Sequence, residues 1–353
     1  GKLRGLQSRR ARIFRGIPFA APPVGGLRWQ APIDPQPWSG TLNAVASKDA
    51  CSQVGMDATW HSTGQPVGSE DCLYLDVYRP NSKKTDLPVY VFFHGGANRF
   101  GGGPTYDGTY LANDQDIIVV IAQYRLGPLG WFRHPSLRTG DPLNDSGNFG
   151  TLDNIKALEW VRDNIAGFDG DPAQVTVGGQ SAGASNVAKL MISPLAAGLF
   201  QQAVLQSIGG EIITPAQGDA LAGGVLTKLG YDPAQHGDAA QFLRAKSAQE
   251  LIAAHGTTYS GFADGAVLPG RVIDIINGGT YNAVPVLIGS TEREWQNFMP
   301  LYAAYPPPTG YSRPLWANVY DLSPPRPKWI SMQPSASTAA LAGSTKPWTN
   351  WPV

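Results

Sequence analysis

Val175-Thr-Val-Gly-Gly-Gln-Ser-Ala-Gly-Ala-Ser185 reads as a short β-branched strand that runs straight into Gly179-Gln180-Ser181-Ala182-Gly183 and then into a helix. A serine on so sharp a strand-to-helix turn needs glycines around it to avoid steric clash, and it ends up exposed at the helix N-terminus. The pattern is therefore a candidate nucleophile elbow. A G-x-S-x-G pentad is a weak signal alone in a chain with 42 glycines, where a glycine-serine turn is the plain alternative. The flanking sequence decides between them.

Working outward, Pro88-Val-Tyr-Val-Phe-Phe93 and Asp116-Ile-Ile-Val-Val-Ile-Ala122 are continuous apolar runs, the mark of strands buried on both faces of a mainly parallel sheet. From Thr151 to Ile165, Leu152, Ile155, Leu158, Val161 and Ile165 recur at helical spacing, with Asp153 in the first turn. A further strand is expected at Ala203-Val-Leu-Gln-Ser207. The order strand, helix, strand, elbow, helix, strand indicates an open α/β sheet with crossover helices. Leu73-Tyr-Leu-Asp-Val-Tyr78 alternates like a half-buried strand, and Val284-Pro-Val-Leu-Ile288 reads as one more buried strand. The latter feeds a loop carrying Glu292 and Glu294, and α/β sheets place functional groups at such strand ends.

Residues 14–32 are broken by Pro18, Pro22, Pro23 and Pro32 and by Gly16, Gly25 and Gly26, which excludes a regular helix. They read as an irregular surface wrap pinned by Phe14, Phe19 and Trp29. Residues 51–72 read as a polar loop between the two cysteines. Residues 211–256 turn Ala-, Gly- and Gln-rich, as expected of helices at the edge of a core. The stretch 301–353 is dense in Pro, Ser, Ala and Trp, with no clear period.

At 353 residues and 42% hydrophobic, the chain can bury a large core, and we expect one α/β domain over 1–353 with a fragmentary 301–353. Lys plus Arg and Asp plus Glu both number 27, so no electrostatic footprint argues for nucleic acid or an anionic membrane surface. A small, neutral or modestly polar partner is expected. No apolar run is long enough for a membrane span, and Gly1 follows no charged-then-apolar leader, so the chain reads as soluble. Cys51 and Cys72 suit one short-loop disulfide, with two free thiols as the alternative, and neither lies in a C-x-x-C metal pair.

A serine nucleophile needs a base, a carboxylate to orient the base, and backbone N–H donors for the developing oxyanion. His94-Gly95-Gly96-Ala97 follows the strand ending at Phe93, so its amides can turn toward Ser181, and Ala182 supplies another from the helix start.

At this point the chain resembles the type-B carboxylesterases, the cholinesterase-like branch of the α/β-hydrolases. The likeness lies in Phe14-Arg-Gly-Ile-Pro-Phe-Ala20, Pro22-Pro-Val-Gly25, Glu70-Asp-Cys-Leu-Tyr-Leu75, His94-Gly-Gly-Ala97, Tyr124-Arg-Leu-Gly-Pro-Leu-Gly130, Gly147-Asn-Phe-Gly-Thr-Leu-Asp153, Ala157-Leu-Glu-Trp-Val161 and the elbow. These run in order from residue 14 to 183, with weaker matches to about 295.

The resemblance implies an α/β-hydrolase fold and a carboxylic-ester hydrolase working through an acyl-enzyme, with no metal and no organic cofactor. Ser181 matches the nucleophile; Gly96, Ala97 and Ala182 match the oxyanion donors; His94 and Gly95 support that loop; Cys51 and Cys72 match the first disulfide. The acid falls five residues after Gly289, which selects Glu294 over Glu292. The disulfide implies an extracellular or periplasmic location.

Three departures narrow the reading. The family's usual acidic residue before the nucleophile is Gln180, removing a buried negative charge. Ser62 stands where cholinesterases carry a choline-stacking tryptophan, and Trp60 is out of register, so cationic substrates lose their anchor and uncharged small or medium esters are expected. The family's catalytic histidine follows the acid, yet no histidine follows His255 here. His61, His134, His236 and His255 all precede Glu294, and His255 reads as a helix-end residue. We expect the histidine segment and part of a lid to lie outside this chain; Asn318-Val-Tyr-Asp-Leu322 and Trp348-Thr-Asn350 resemble fragments of the family's C-terminal region. An intact mass equal to that of 353 residues would overturn this. The alternative is an inactive cholinesterase-like binding or adhesion protein, but such relatives usually lose the nucleophile that this chain keeps. A lipase would need an apolar lid, which the sequence does not display.

Overall fold

Alternating apolar segments close into an eight-stranded mixed sheet in the computed structural model, which describes residues 1–57, 62–210, 212–256 and 261–291. The described residues belong to one unit, Gly1–Glu292. Glu292, Glu294, Trp60, His61 and all of 301–353 lie outside the described residues.

In chain order the strands are β1 (Leu6–Gln7), β2 (Ala11–Pro18), β3 (Tyr74–Pro80), β4 (Leu87–Phe93), β5 (Ile118–Ala122), β6 (Gly170–Gln180), β7 (Gln202–Gln206) and β8 (Val286–Gly289). Their spatial order is β8-β7-β6-β4-β5-β3-β2-β1. β8, β7, β6, β4 and β5 are parallel, while β3, β2 and β1 pair antiparallel, so the parallel character expected from the apolar runs holds for the half around the elbow. β6 sits between β4 and β7, in register Val177 opposite Val91 and Ala203. Helices α1 (Phe149–Asn164) and α2 (Ala182–Ile192) cover this half. Val89, Val91, Phe93, Ile118, Val120, Val175 and Val177 form the core with Leu158, Val161, Val187 and Leu190. α1 starts two residues earlier than its apolar period indicates, at Phe149, because Gly147-Asn148 supplies the turn into it.

Four sequence expectations are corrected. Residues 14–18 are not surface wrap but part of β2 in the main sheet, and Phe19 and Trp29 are buried, the Trp29 indole donating to the Pro128 carbonyl at 2.7 Å. The stretch between the cysteines is a two-stranded antiparallel sheet, Gln53–Met56 with Ser62–Val67, rather than a loop; backbone pairing overrides its polar composition. β3 is buried almost throughout, because Asp76 and Arg79 on it are satisfied internally: Asp76 accepts from the Gly16 N–H at 2.7 Å and from Ser47. β8 alternates between half-buried and exposed residues instead of being buried, as befits the edge position it holds among the described strands. Most of the described residues in 211–256 are helical, and α3 (Pro215–Lys228) and α4 (Ala248–His255) are each opened by a capping box.

Candidate active site

The elbow is built by strain and by missing side chains. Ser181 sits between β6 and α2 with φ 57° and ψ −122°, a conformation an L-residue adopts only when its surroundings enforce it. Its N–H is fixed by the Gln206 carbonyl of β7 at 2.8 Å, and its carbonyl starts α2 by accepting from Ser185 at 3.0 Å. A Cβ on Gly179 would lie 2.3 Å from the Gly183 carbonyl carbon, and one on Gly183 would lie 2.0 Å from the Phe93 oxygen. Both positions therefore demand glycine, as the pentad implied. Ala182, the first helical residue, is buried, and its N–H has no intrahelical acceptor by position.

The segment 94–100 that follows β4 lies against this turn. A Cβ on Gly95 would sit 2.8 Å from the Gln180 carbonyl and 3.3 Å from the Ser181 Cβ, so the Ser181 turn leaves no room for a side chain at Gly95. Gly96 (φ 109°), Ala97 (φ 53°) and Asn98 (φ 55°) then turn through three successive left-handed conformations, and the Gly96 carbonyl accepts from Arg99 and Phe100 at 2.9 and 3.1 Å. Gly96 is half-buried and Ala97 exposed, at the open side of the turn.

His94 anchors that segment. It is 1% exposed, stacks on Tyr124 with ring centroids 4.5 Å apart, and places Nδ1 2.8 Å from the Gly95 carbonyl. The Tyr124 hydroxyl donates to the His94 carbonyl at 2.6 Å. Burial, only partly offset by the Gly95 carbonyl, pushes the His94 pKa down to about 4, so the ring is neutral near pH 7. His94 is thus fixed between Tyr124 and the Gly95 carbonyl.

Several bracing residues carry no sequence motif of their own. Gln53, 6% exposed, donates from Nε2 to the Gly101 carbonyl at 2.7 Å and accepts from the Gly101 N–H at 2.7 Å, while Nε2 also reaches the Cys51 carbonyl at 2.9 Å. Cys51 and Cys72 form the disulfide, so Gly101, at the end of the segment after β4, is tied to a cross-linked sheet. Asn98 and Asn186, both buried, exchange amide hydrogen bonds at 2.9 and 3.4 Å. The one available signal for Asn98 was its place after a glycine pair, since asparagine tolerates left-handed backbone.

The remaining candidates are placed as follows. Gln180 is exposed, and its Oε1 lies 3.0 Å from where a Gly95 Cβ would be. Ser62 is exposed at a strand end. His134 caps a short 3-10 turn, accepting from the Ser136 N–H at 3.2 Å, and His236 is exposed at the end of Pro233–His236. His255 ends α4, as read from the sequence; burial first, then the Arg99 and Lys228 charges, push its pKa down to about 4. Among the described residues there is no cluster of three or more His, Cys, Asp or Glu that could hold a metal, and no helix is long and apolar enough to cross a membrane.

A serine on a strained turn between a parallel strand and its crossover helix, with a glycine-walled strand end packed on it, defines an α/β-hydrolase scaffold. The family model described as the carboxylesterase family matches residues 1–313, and the chain belongs to that family. It is 38% identical over 304 residues to the para-nitrobenzyl esterase of Bacillus subtilis (strain 168), covering 83% of this chain and 61% of that one. It is 35% identical over 326 residues to carboxylesterase 1E of Rattus norvegicus, covering 84% and 57%. A solved structure of a PNB esterase superposes with a TM-score of 0.76 at 36% identity, covering 85% of this chain and 63% of that one. The chain thus spans about three-fifths of the length of these relatives.

Proposed function

We propose that the protein is a serine carboxylesterase in which Ser181 attacks the carbonyl of a small or medium uncharged ester. The observation that carries this reading is the closeness of Gly95 to the Ser181 turn, where a Cβ on Gly95 would lie 3.3 Å from the Ser181 Cβ. In the proposal the amides of Gly96 and Ala97, which follow Gly95, and that of Ala182 face the substrate carbonyl. The tetrahedral oxyanion is held by these three N–H groups at the positive end of α2. Its collapse expels the alcohol and leaves the acyl group on Ser181, and water then releases the acid. Glu294 orients the histidine that carries the proton. No histidine follows Glu294 among the 353 residues, and His94 is committed to stacking on Tyr124, so no residue of this chain is assigned that step. Uncharged substrates follow from Gln180 and Ser62, which supply neither the negative charge nor the aromatic face that a cationic ester uses.

The same proposal takes 1–353 as part of one hydrolase domain and places the protein outside the cytosol, where the Cys51–Cys72 disulfide persists. The relatives described above are esterases, which gives the inactive binding-protein alternative no support. The test compares p-nitrophenyl butyrate hydrolysis by the wild type and Ser181→Ala. Loss of turnover in the variant is expected; equal rates in the two would sink the hydrolase reading. A choline ester should be turned over less efficiently than the neutral ester by the same protein.

A further inference from the structure

Eight residues beyond Ser181, in the last turn of α2, stands a lysine that is 1% exposed. Among the described residues Lys189 has no carboxylate partner. Its Nζ donates to the Asn186 Oδ1 at 2.7 Å and lies 4.8 Å from the centroid of the Trp131 ring. Burial pushes its pKa well below the ordinary lysine value. One hydrogen bond and one aromatic face are poor return for taking an amine out of water, and a methionine of similar volume would fill the site without that cost. On stability alone the position favours an apolar residue.

The contact Lys189 does make leads to the segment after β4. Asn186, 0% exposed, passes from Lys189 to Asn98 through the amide exchange described above. Asn98 is the last of the left-handed residues in that segment, and its carbonyl accepts from the Gly127 N–H at 2.7 Å. Successive left-handed conformations at Ala97 and Asn98 are strained for side-chain-bearing residues and persist only where neighbours impose them. With its Oδ1 fixed by the lysine, the Asn186 amide is held in the orientation that meets Asn98.

We propose that Lys189 is a positioning residue for the oxyanion hole, acting through Asn186 on Asn98 to hold the Gly96 and Ala97 amides in place. Lys189 touches no reacting atom. The proposal rests on the hydrolase reading of Ser181.

The test replaces Lys189→Met in the full chain. Expected are an unchanged or raised Tm, a kcat on p-nitrophenyl butyrate lower by about tenfold from a displaced donor, and a KM within about twofold of wild type. Amide hydrogen exchange across 95–100 should quicken about fivefold or more. Asn98→Ala cuts the same chain at its other end without altering the buried amine. It should show the kcat loss by itself, and Lys189→Met should add nothing further in its presence. Wild-type kcat and exchange in Lys189→Met, a kcat loss that merely tracks a fall in Tm, or additive effects of the two substitutions would each overturn the proposal. Absence of any Ser181-dependent hydrolysis in the wild type would instead sink the hydrolase reading. The exchange measurement would then decide the positioning role alone, and unchanged exchange would overturn it.

Discussion

Gln53 grips Gly101 through both ends of its amide, donating to the carbonyl and accepting from the N–H at 2.7 Å each. Gly101 itself leaves no room for a side chain, since a Cβ there would lie 2.7 Å from the Gly95 carbonyl and 2.8 Å from the His94 Nδ1. The clamp therefore transmits the position of the Cys51–Cys72 sheet directly to the segment that backs onto Ser181. Gln53→Leu removes the side-chain partner of three backbone groups, the N–H and carbonyl of half-buried Gly101 and the carbonyl of buried Cys51, at about 1 kcal/mol or more each. We expect a lower Tm and a fall in kcat with little change in KM, measured by thermal melting and by steady-state hydrolysis of a p-nitrophenyl ester. A destabilised variant with full kcat at a temperature where it remains folded would separate the clamp from the oxyanion geometry.

Gly95 offers a sharper cut. A methyl there must displace either the Gln180 carbonyl at 2.8 Å or the Ser181 Cβ at 3.3 Å, and both belong to the nucleophile turn. Because a misplacement of about 1 Å can cost on the order of 100-fold, Gly95→Ala should lose turnover on that scale while folding. Circular dichroism checks the fold, and the rate of ester hydrolysis checks the turn. Wild-type turnover in a folded Gly95→Ala would mean that the two segments are not in the contact described.

What the sequence made legible was what depends on local rules. The elbow is readable because Gly179 and Gly183 are forced by contacts of 2.3 and 2.0 Å, so composition itself records the geometry. β5 is readable because burial on both faces leaves a continuous apolar run, and α1 because its apolar residues recur at helical spacing. β4, read as buried on both faces, instead buries one face and leaves Tyr90 and Phe92 half-buried and Pro88 exposed on the other. The bracing of the segment after β4 was not legible. Gln53, Asn98, Asn186 and Lys189 are single polar residues whose partners lie 48 to 88 positions away, apart from the Lys189–Asn186 pair within one helix, and no period encodes such pairings. The polar sheet after Cys51 was misread for a related reason. Its residues carry no apolar alternation, and backbone pairing is what holds it.

Arg125 and Asp153 explain two of the motifs by which the family is recognised. The guanidinium donates to the carboxylate from Nε at 2.8 Å and from Nη2 at 2.7 Å, and the Arg125 N–H adds a third bond at 3.0 Å. Both side chains are at most 4% exposed. Removing one partner strands the other as an uncompensated buried charge, so Asp153→Ala should lower unfolding free energy by about 3–5 kcal/mol. Chemical denaturation measures this. A loss under about 1 kcal/mol would show that the pair is not the buried tie between Tyr124–Arg125 and α1.

The last prediction concerns pH. His94 and His255 each titrate at about 4 in the fold, through burial first, against 6.5 for an exposed histidine. Their folded pKa values are depressed, so the unfolded chain binds these protons more readily, and stability rises with pH between the two values. The contribution is complete above about pH 6.5 and is lost as pH falls toward 4, at up to about 1.4 kcal/mol per pH unit for each histidine. Burial raises the Asp76 carboxyl from 3.8, which works in the opposite sense at the acid end and flattens the curve there. Urea unfolding at intervals from pH 7.5 to 4.5 should therefore show a steady fall of the midpoint. In His255→Gln the slope should drop by that histidine's share, while His94 and His134, whose pKa values burial also lowers, keep part of it. An undiminished slope in that variant would show that His255 takes up its proton within the fold as readily as outside it.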